Sequence, residues 1–453
     1  MKVKTLLAVS LTLALATAGP AQTLDQPKLD QFFDRLAEKN KAMGSLTIAK
    51  DGDVLYARAI GYGRISETDK KPLDAASRFR IGSITKMFTA VMILQLVDEE
   101  KLKLADTLDQ FFPQIPNASK ITLAQILAHR SGIPNVRRER DPLRNVNTVP
   151  ITKDEILALI AKAAPDFEPD TRHLYSNSGF FILGLIVEKL TGKSYAEALE
   201  ERITAKIGLK DTYTATGSID AGKGEALTYL SDGSGWKQGI ETHPSILFGA
   251  GQIVSTPNDL AGFIHALFEL KLISPESLAR MKTIRDGDGL GMEPFTLAGK
   301  TFYGHTGGGD NYGAWLAYLP EEKLAVAYTT NAKVHPVADI VRGVVDLYYR
   351  RPFQIPSFET LVVSPEILDT YVGVYSSQQV PVKFTITREG PTLFIRPGSQ
   401  AAAALEATAE DKFQLLGGRV GFEFDAAKKQ MIQKRGGPPL VFTKEEPPPP
   451  QAP

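Results

Sequence analysis

The stretch Arg80-Ile-Gly82-Ser83-Ile-Thr-Lys86-Met87-Phe-Thr-Ala-Val91-Met-Ile-Leu94-Gln-Leu96 decides how the chain is read. From Ile84 to Glu99 it is apolar over too many residues for a strand, so it predicts a buried helix. The turn at Gly82 enters that helix, which puts Ser83 at its N-terminus and Lys86 one turn later on the same face. A hydroxyl then lies beside an amine. Serine is a weak nucleophile until a neighbouring base takes its proton, and Lys86 serves as that base only when neutral. Neutralising half of an ordinary lysine at pH 7 costs roughly 4.6 kcal/mol, which burial or a nearby cation supplies and exposure does not. The pattern alone is weak, because Ser234-Gly-Trp-Lys237 repeats it in a glycine-rich, unhelical stretch.

Two further elements strengthen the reading. Tyr175-Ser-Asn177 is the only Tyr-x-Asn among 14 tyrosines, and it precedes a second apolar helix, Gly179 to Leu190, that stops at Thr191-Gly192 with glycine as its left-handed cap. His305-Thr306-Gly307-Gly308-Gly309 stands at the edge of a strand ahead of a hairpin beginning near Ala314. Tyr175 is a second candidate base, and the choice between it and Lys86 stays open; the two are expected to titrate as a coupled pair. Asn177 can donate its amide to a substrate carbonyl and accept from Lys86. The backbone N–H of Ser83 is one donor for an oxyanion.

In this order, with spacings of 92 and 130 residues, the three motifs resemble those of the serine β-lactamase and DD-peptidase family, in particular its class C-like branch, which includes esterases and D-amino-acid peptidases. Leu127-Ala-His-Arg-Ser-Gly-Ile-Pro134 and Gly249-Ala-Gly-Gln-Ile-Val-Ser-Thr-Pro-Asn-Asp259 extend the resemblance, which covers roughly residues 27 to 350. It implies an α/β (α+β) β-lactamase/transpeptidase-like fold and hydrolysis through an acyl-enzyme on Ser83, with Lys86 and Tyr175 catalytic. It implies too that Asn177, His305, Thr306, Gly307 and Gly308 bind substrate, the Gly308 N–H being the second oxyanion donor. One position departs from the pattern: penicillin-recognising members begin the third motif with lysine, and here it is His305. An unperturbed histidine is mostly neutral at pH 7, which favours an ester, amide or D-amino-acid peptide over an anionic β-lactam. A β-lactamase and a non-catalytic penicillin- or peptidoglycan-binding protein are the alternatives.

With 453 residues the chain exceeds a single core and is expected to hold two domains. Residues 1–21 read as a secretory signal peptide: Lys2 and Lys4, an apolar run too short to span a membrane, then small residues. The hydrolase-like domain is placed at 22–350. Within it Ser45 to Ala49, the turn Asp51-Gly52-Asp53 and the run from Val54 form a hairpin; the strands at Ala314–Tyr318 and Leu324–Thr329 and the helix Val337–Tyr349 close it. That order predicts one antiparallel sheet built from both ends, flanked by helices, with a helical insertion. A proline-bearing linker (351–364) leads to eight short alternating segments (365–445), read as a small antiparallel barrel, lipocalin-like by resemblance, and a proline-rich tail (446–453).

Composition narrows the function classes. Lys plus Arg and Asp plus Glu both number 52, so no net field draws the chain to nucleic acid or an anionic membrane. Without cysteine there is no thiol nucleophile, disulfide or cysteine-held metal. His243, His265 and His335 lack metal-ligand spacing, so no metal and no cofactor is expected. The expected partner is a small-molecule or peptide substrate, in the periplasm or outside the cell, with no stable membrane anchor; oligomeric state is left open. His129 is read as orienting a loop, Ser131 as a turn residue and Arg137 to Arg140 as a solvated loop. For His173, Asn311 and Tyr312 a site role and a structural one both remain.

Overall fold

Asp51 and Gly52 take positive φ of 53° and 90°, so the chain reverses within two residues and β1 (Ala42–Lys50) lies antiparallel to β2 (Asp53–Ile60). This hairpin is the near edge of a sheet in the computed structural model, which describes residues 24–136, 148–231, 235–359, 361–398, 402–415, 420–435 and 437–446. The expected leader at 1–21, the run Arg137 to Arg140, Ser234 of the second Ser-x-x-Lys match and the tail from Pro447 lie outside the described residues.

The rest of the sheet comes from the far end of the same body: β3 (Glu293–Leu297), β4 (Lys300–Gly308), β5 (Gly313–Leu319) and β6 (Leu324–Lys333). Among the described residues its order is β3-β4-β5-β6-β1-β2, antiparallel throughout, with Leu46 of β1 opposite Tyr328 of β6. The first and last strands therefore pair directly, as the sequence order predicts. β1 is buried along almost its whole length rather than on alternate residues, because helices cover both faces. α1 (Gln26–Glu38) covers one face, sharing a core with Phe302, Val326 and Tyr328 of the sheet and with a later helix, Val337–Tyr348.

Between β2 and β3 lies the helical insertion. Its centre is α2 (Thr85–Asp98), in which every residue from Thr85 to Leu96 is buried. A helix buried all round has no polar stripe, which is why its sequence is continuously apolar. Against it pack α3 (Asn177–Thr191) and α4 (Pro257–Phe268), with Phe88 stacked on Phe263 at 3.8 Å between ring centres. Gly192 ends α3 at φ 68°, the predicted left-handed cap.

α5 (Val337–Tyr348) closes the body, and eight described strands then form a closed antiparallel barrel, β7 (Gly373–Ser376) through β14 (Leu440–Lys444), sealed by Tyr375 opposite Lys444. The eight predicted segments each coincide with one of these strands. The start differs: the region placed at 365–445 opens on a short helix, α6 (Pro365–Tyr371), rather than on a strand. Ser364 accepts the Ile367 N–H and Pro365 occupies a first-turn position that needs no donor, so helix wins locally over the alternating pattern. Lys41 and Glu406, little exposed and 2.5 Å apart, tie the body to the barrel.

Candidate active site

The site begins with a close approach between backbones. The Ile81 N–H donates to Ile253 O at 3.1 Å, and Gly82, at φ 53°, lies so near the end of β4 that a Cβ there would sit 2.6 Å from Gly308 N. A Cβ on Gly307 would sit 1.9 Å from Ile81 O. Only glycine permits either contact. Ser83 follows in a single 3₁₀ turn, Gly82–Ile84, that runs directly into α2. The predicted placement of the serine at the head of the buried helix is therefore the one observed, and it sits against the His-Thr-Gly strand.

One turn after Ser83, at the second residue of α2, Lys86 is fully buried. Its Nζ lies 3.0 Å from Ser83 Oγ, 2.8 Å from Asn177 Oδ1 and 2.9 Å from the carbonyl oxygen of Ala250. The two carbonyl oxygens can only accept. A neutral amine with two N–H bonds and one lone pair satisfies both and turns the lone pair toward the serine hydroxyl; an ammonium satisfies all three as a donor. The same pocket thus holds the lysine before and after it takes a proton.

Tyr175 stands just before α3, two residues ahead of Asn177. Its ring lies 4.7 Å from Lys86 Nζ. Asn177 is the first residue of α3, started by Ser176 accepting the Gly179 N–H, so the helix start itself aims the Asn177 side chain at Lys86. Burial pushes the Tyr175 hydroxyl far up, with neighbouring Ser83 opposing and the carboxylates of Glu293 and Asp288 adding to the rise. The phenol is held neutral.

His305 is buried, and its Nδ1 lies 2.5 Å from Thr306 O. A carbonyl only accepts, so Nδ1 carries the proton and the neutral ring presents a bare Nε2. Burial lowers its pKa; Glu293 opposes that and Lys86 reinforces it. Thr306 donates both its backbone N–H (3.1 Å) and its hydroxyl (3.2 Å) to Glu293 Oε2. Thus Ser83, Lys86, Tyr175 and Asn177 form one connected cluster, and Gly307 and Gly308 border it through Ile81 and Gly82.

His129 carries more than a loop-orienting role. Its Nδ1 accepts the Ser176 N–H at 3.2 Å and its ring lies 4.3 Å from that of Tyr175, so it braces the tyrosine from behind. Burial lowers its pKa well below the usual value, with Lys86 adding to the effect. His173 stands one layer further back, paired with Asp288 at 2.7 Å. Ser131 accepts the Ile133 N–H as a turn residue should, and the buried Asn311 donates to Ile240 O, holding a neighbouring loop. Ala250, Glu293 and Asp288 escape sequence reasoning. The first contributes a backbone carbonyl, which any residue carries, and the two acids belong to no motif. Beside the glycine run a cavity of about 440 Å³ is lined by Thr306, Gly307, Gly308 and Lys333 and, from the barrel, by Leu415 and Val420. Among the described residues no group of three or more His, Asp or Glu is arranged to hold a metal, and no helix is long and apolar enough to cross a membrane.

A family model described as Beta-lactamase matches residues 29–348. Penicillin-binding protein 4* of Bacillus subtilis (strain 168) is 25% identical over 442 residues, covering 90% of this chain and 96% of its own. The octameric penicillin-binding protein homologue from Pyrococcus abyssi superposes with a TM-score of 0.65 at 26% identity, over 93% of this chain and 100% of the other. D-amino acid amidase from Ochrobactrum anthropi SV3, complexed with D-phenylalanine, gives a TM-score of 0.63 at 25% identity, over 71% of this chain and 99% of its own.

Proposed function

The chain belongs to the β-lactamase family, and from that premise we propose that it is a serine hydrolase that forms an acyl-enzyme on Ser83 and cleaves an ester, amide or D-amino-acid-containing peptide. The observation that carries this is the triple contact of buried Lys86 with Ser83, Asn177 and Ala250. In acylation Lys86 takes the Ser83 proton as Oγ attacks the substrate carbonyl. The developing oxyanion is received by the backbone N–H groups of Ser83 and Gly308, a pairing supported by the close approach of Gly82, the residue before Ser83, to Gly308. Tyr175, kept neutral by burial, is the relay rather than the base: its hydroxyl passes a proton to the leaving group while it recovers one through Ser83 and Lys86. Water then attacks the acyl group by the reverse relay and Ser83 is regenerated.

A buried His305 whose pKa is lowered gives no fixed cation for a β-lactam carboxylate, which supports amides and esters ahead of β-lactams. The likeness to a D-amino acid amidase agrees with that order. The leader-like residues 1–21 and the likeness to penicillin-binding proteins support action in the periplasm or outside the cell.

A fluorophosphonate probe is expected to label Ser83, and Ser83→Ala to abolish both labelling and ester hydrolysis. Labelling that survives the substitution sinks the assignment. Nitrocefin turnover far ahead of a D-phenylalanine amide and a p-nitrophenyl ester reverses the substrate order.

A further inference from the structure

The edge of the site beyond Tyr175 is acidic. Glu293 on β3 reaches across to β4 and holds Thr306 through two hydrogen bonds on one oxygen, Oε2, while Oε1 stands 3.7 Å from the bare His305 Nε2. The Thr306 hydroxyl is thereby turned toward a protein carboxylate. The Glu293 side chain keeps 22% of its exposure, so its charge faces solvent as well as the strand. Behind it Asp288 is paired with His173. Two lysines approach from other directions. Lys86 already meets Ser83, Asn177 and Ala250, and Lys333 reaches toward Gly309 O at 3.4 Å, past the far end of the glycine run.

Position along the strand says what this charge meets. Thr306 and Gly308 are two residues apart on β4, so they face the same side about 6.7 Å apart. A substrate whose carbonyl is held at Gly308 lays its neighbouring unit along Thr306. Tyr175, the proton donor to the leaving group, is near enough for the Glu293 charge to act on its hydroxyl, and its ring lies 6.4 Å from that of His305, the neighbour of Thr306 on β4.

We propose that Glu293 is a specificity-determining residue that selects against leaving groups carrying a carboxylate next to the scissile bond, so that the enzyme works on uncharged amides and esters. This deepens the assignment of Ser83 as nucleophile and rests on it. Glu293 does so in two ways: it occupies the Thr306 hydroxyl that would otherwise donate to a substrate carboxylate, and it repels that carboxylate directly.

The test is a matched pair of substrates, the phenyl and the 3-carboxyphenyl esters of an N-acyl-D-alanine, run on the full chain with Ser83→Ala as a blank. The wild type is expected to prefer the phenyl ester. Glu293→Gln, which keeps an acceptor for Thr306, is expected to raise kcat/KM for the carboxylated ester roughly tenfold relative to the phenyl ester, the size of effect one charge has at a partly exposed site. Added salt should shrink the wild-type discrimination. A wild type indifferent to the carboxylate, or a Glu293→Gln variant that changes both esters by one factor, overturns the proposal and leaves the nucleophile intact. Hydrolysis surviving in Ser83→Ala overturns the nucleophile instead.

Discussion

Gly82 and Gly192 share a backbone conformation and differ in what surrounds them, which makes them a controlled pair. Their φ values are 53° and 68°, so alanine at either costs about 1–2 kcal/mol from the left-handed conformation alone. At Gly192 a Cβ meets nothing within 4 Å; at Gly82 it falls 2.6 Å from Gly308 N and 2.9 Å from Gly308 O, where ordinary contact begins at 3.4 Å. Both obstacles are backbone, so the turn and the strand must separate. The groups forced apart are the two N–H donors assigned to the oxyanion. Misplacement by about 1 Å costs roughly 10²-fold, and loss of one such donor about 10² to 10³-fold in turnover. Gly82→Ala is therefore expected to lower kcat for a p-nitrophenyl ester about 10² to 10³-fold, with near-native circular dichroism and a urea midpoint somewhat below that of Gly192→Ala. Gly192→Ala should turn over like the wild type. If Gly82→Ala is folded and its kcat lies within about threefold of Gly192→Ala, the paired-donor geometry is refuted.

Tyr175→Phe removes the proposed relay but leaves Lys86 in place, so if Tyr175 carries the proton, stopped-flow acylation by the same ester should slow about 10² to 10⁴-fold; a loss below tenfold would refute that role. His129 bears on stability: its folded pKa is depressed below the unfolded value of about 6.5, so the unfolded chain binds more protons below that pH and stability is lost as pH falls, by up to about 1.4 kcal/mol per pH unit. His129→Asn tolerates the positive φ of 56° and keeps an acceptor for the Ser176 N–H. Its urea midpoint should therefore fall less steeply between pH 6.5 and 5 than that of the wild type, His305 still contributing in the same sense and the raised carboxyl of Asp288 opposing. Equal slopes would place the effect in other groups.

What the sequence makes legible follows from how far each signal reaches. Asp51-Gly52 marks a hairpin because the turn needs two positive φ values, a demand met locally. The continuous apolarity of α2 reports burial on every side. The barrel strands show through as alternation punctuated by turns, whereas α6 does not, since seven residues carry too little periodicity to outweigh a cap and a proline that can be read equally as a linker. Of the site, the parts carried by residue type were visible: Ser83 and Lys86 by helical spacing, and Asn177 because a helix starts there.

The unreadable parts are those that belong to no residue in particular. Ala250 matters only through its carbonyl, and that carbonyl decides the chemistry of Lys86. Were it absent, the amine would have one fixed acceptor, Asn177 Oδ1, and a second N–H left to compete with the lone pair for Ser83. With both carbonyls in place at 2.8 and 2.9 Å, the neutral amine has a single orientation, and it points its lone pair at the hydroxyl 3.0 Å away. The glycine-rich segment around Gly249 and Gly251 is thus more than a flexible connection: it brings main chain close enough to the buried lysine to choose its rotamer. A side chain there would keep the carbonyl out of reach, since a Cβ on Gly249 would already stand 2.8 Å from Phe180 O. On the proposed mechanism, activation of Ser83 therefore depends on three segments distant in sequence, α2, the start of α3 and the turn before α4, and the sequence marks the third only as a glycine-rich segment, without pointing to its carbonyl.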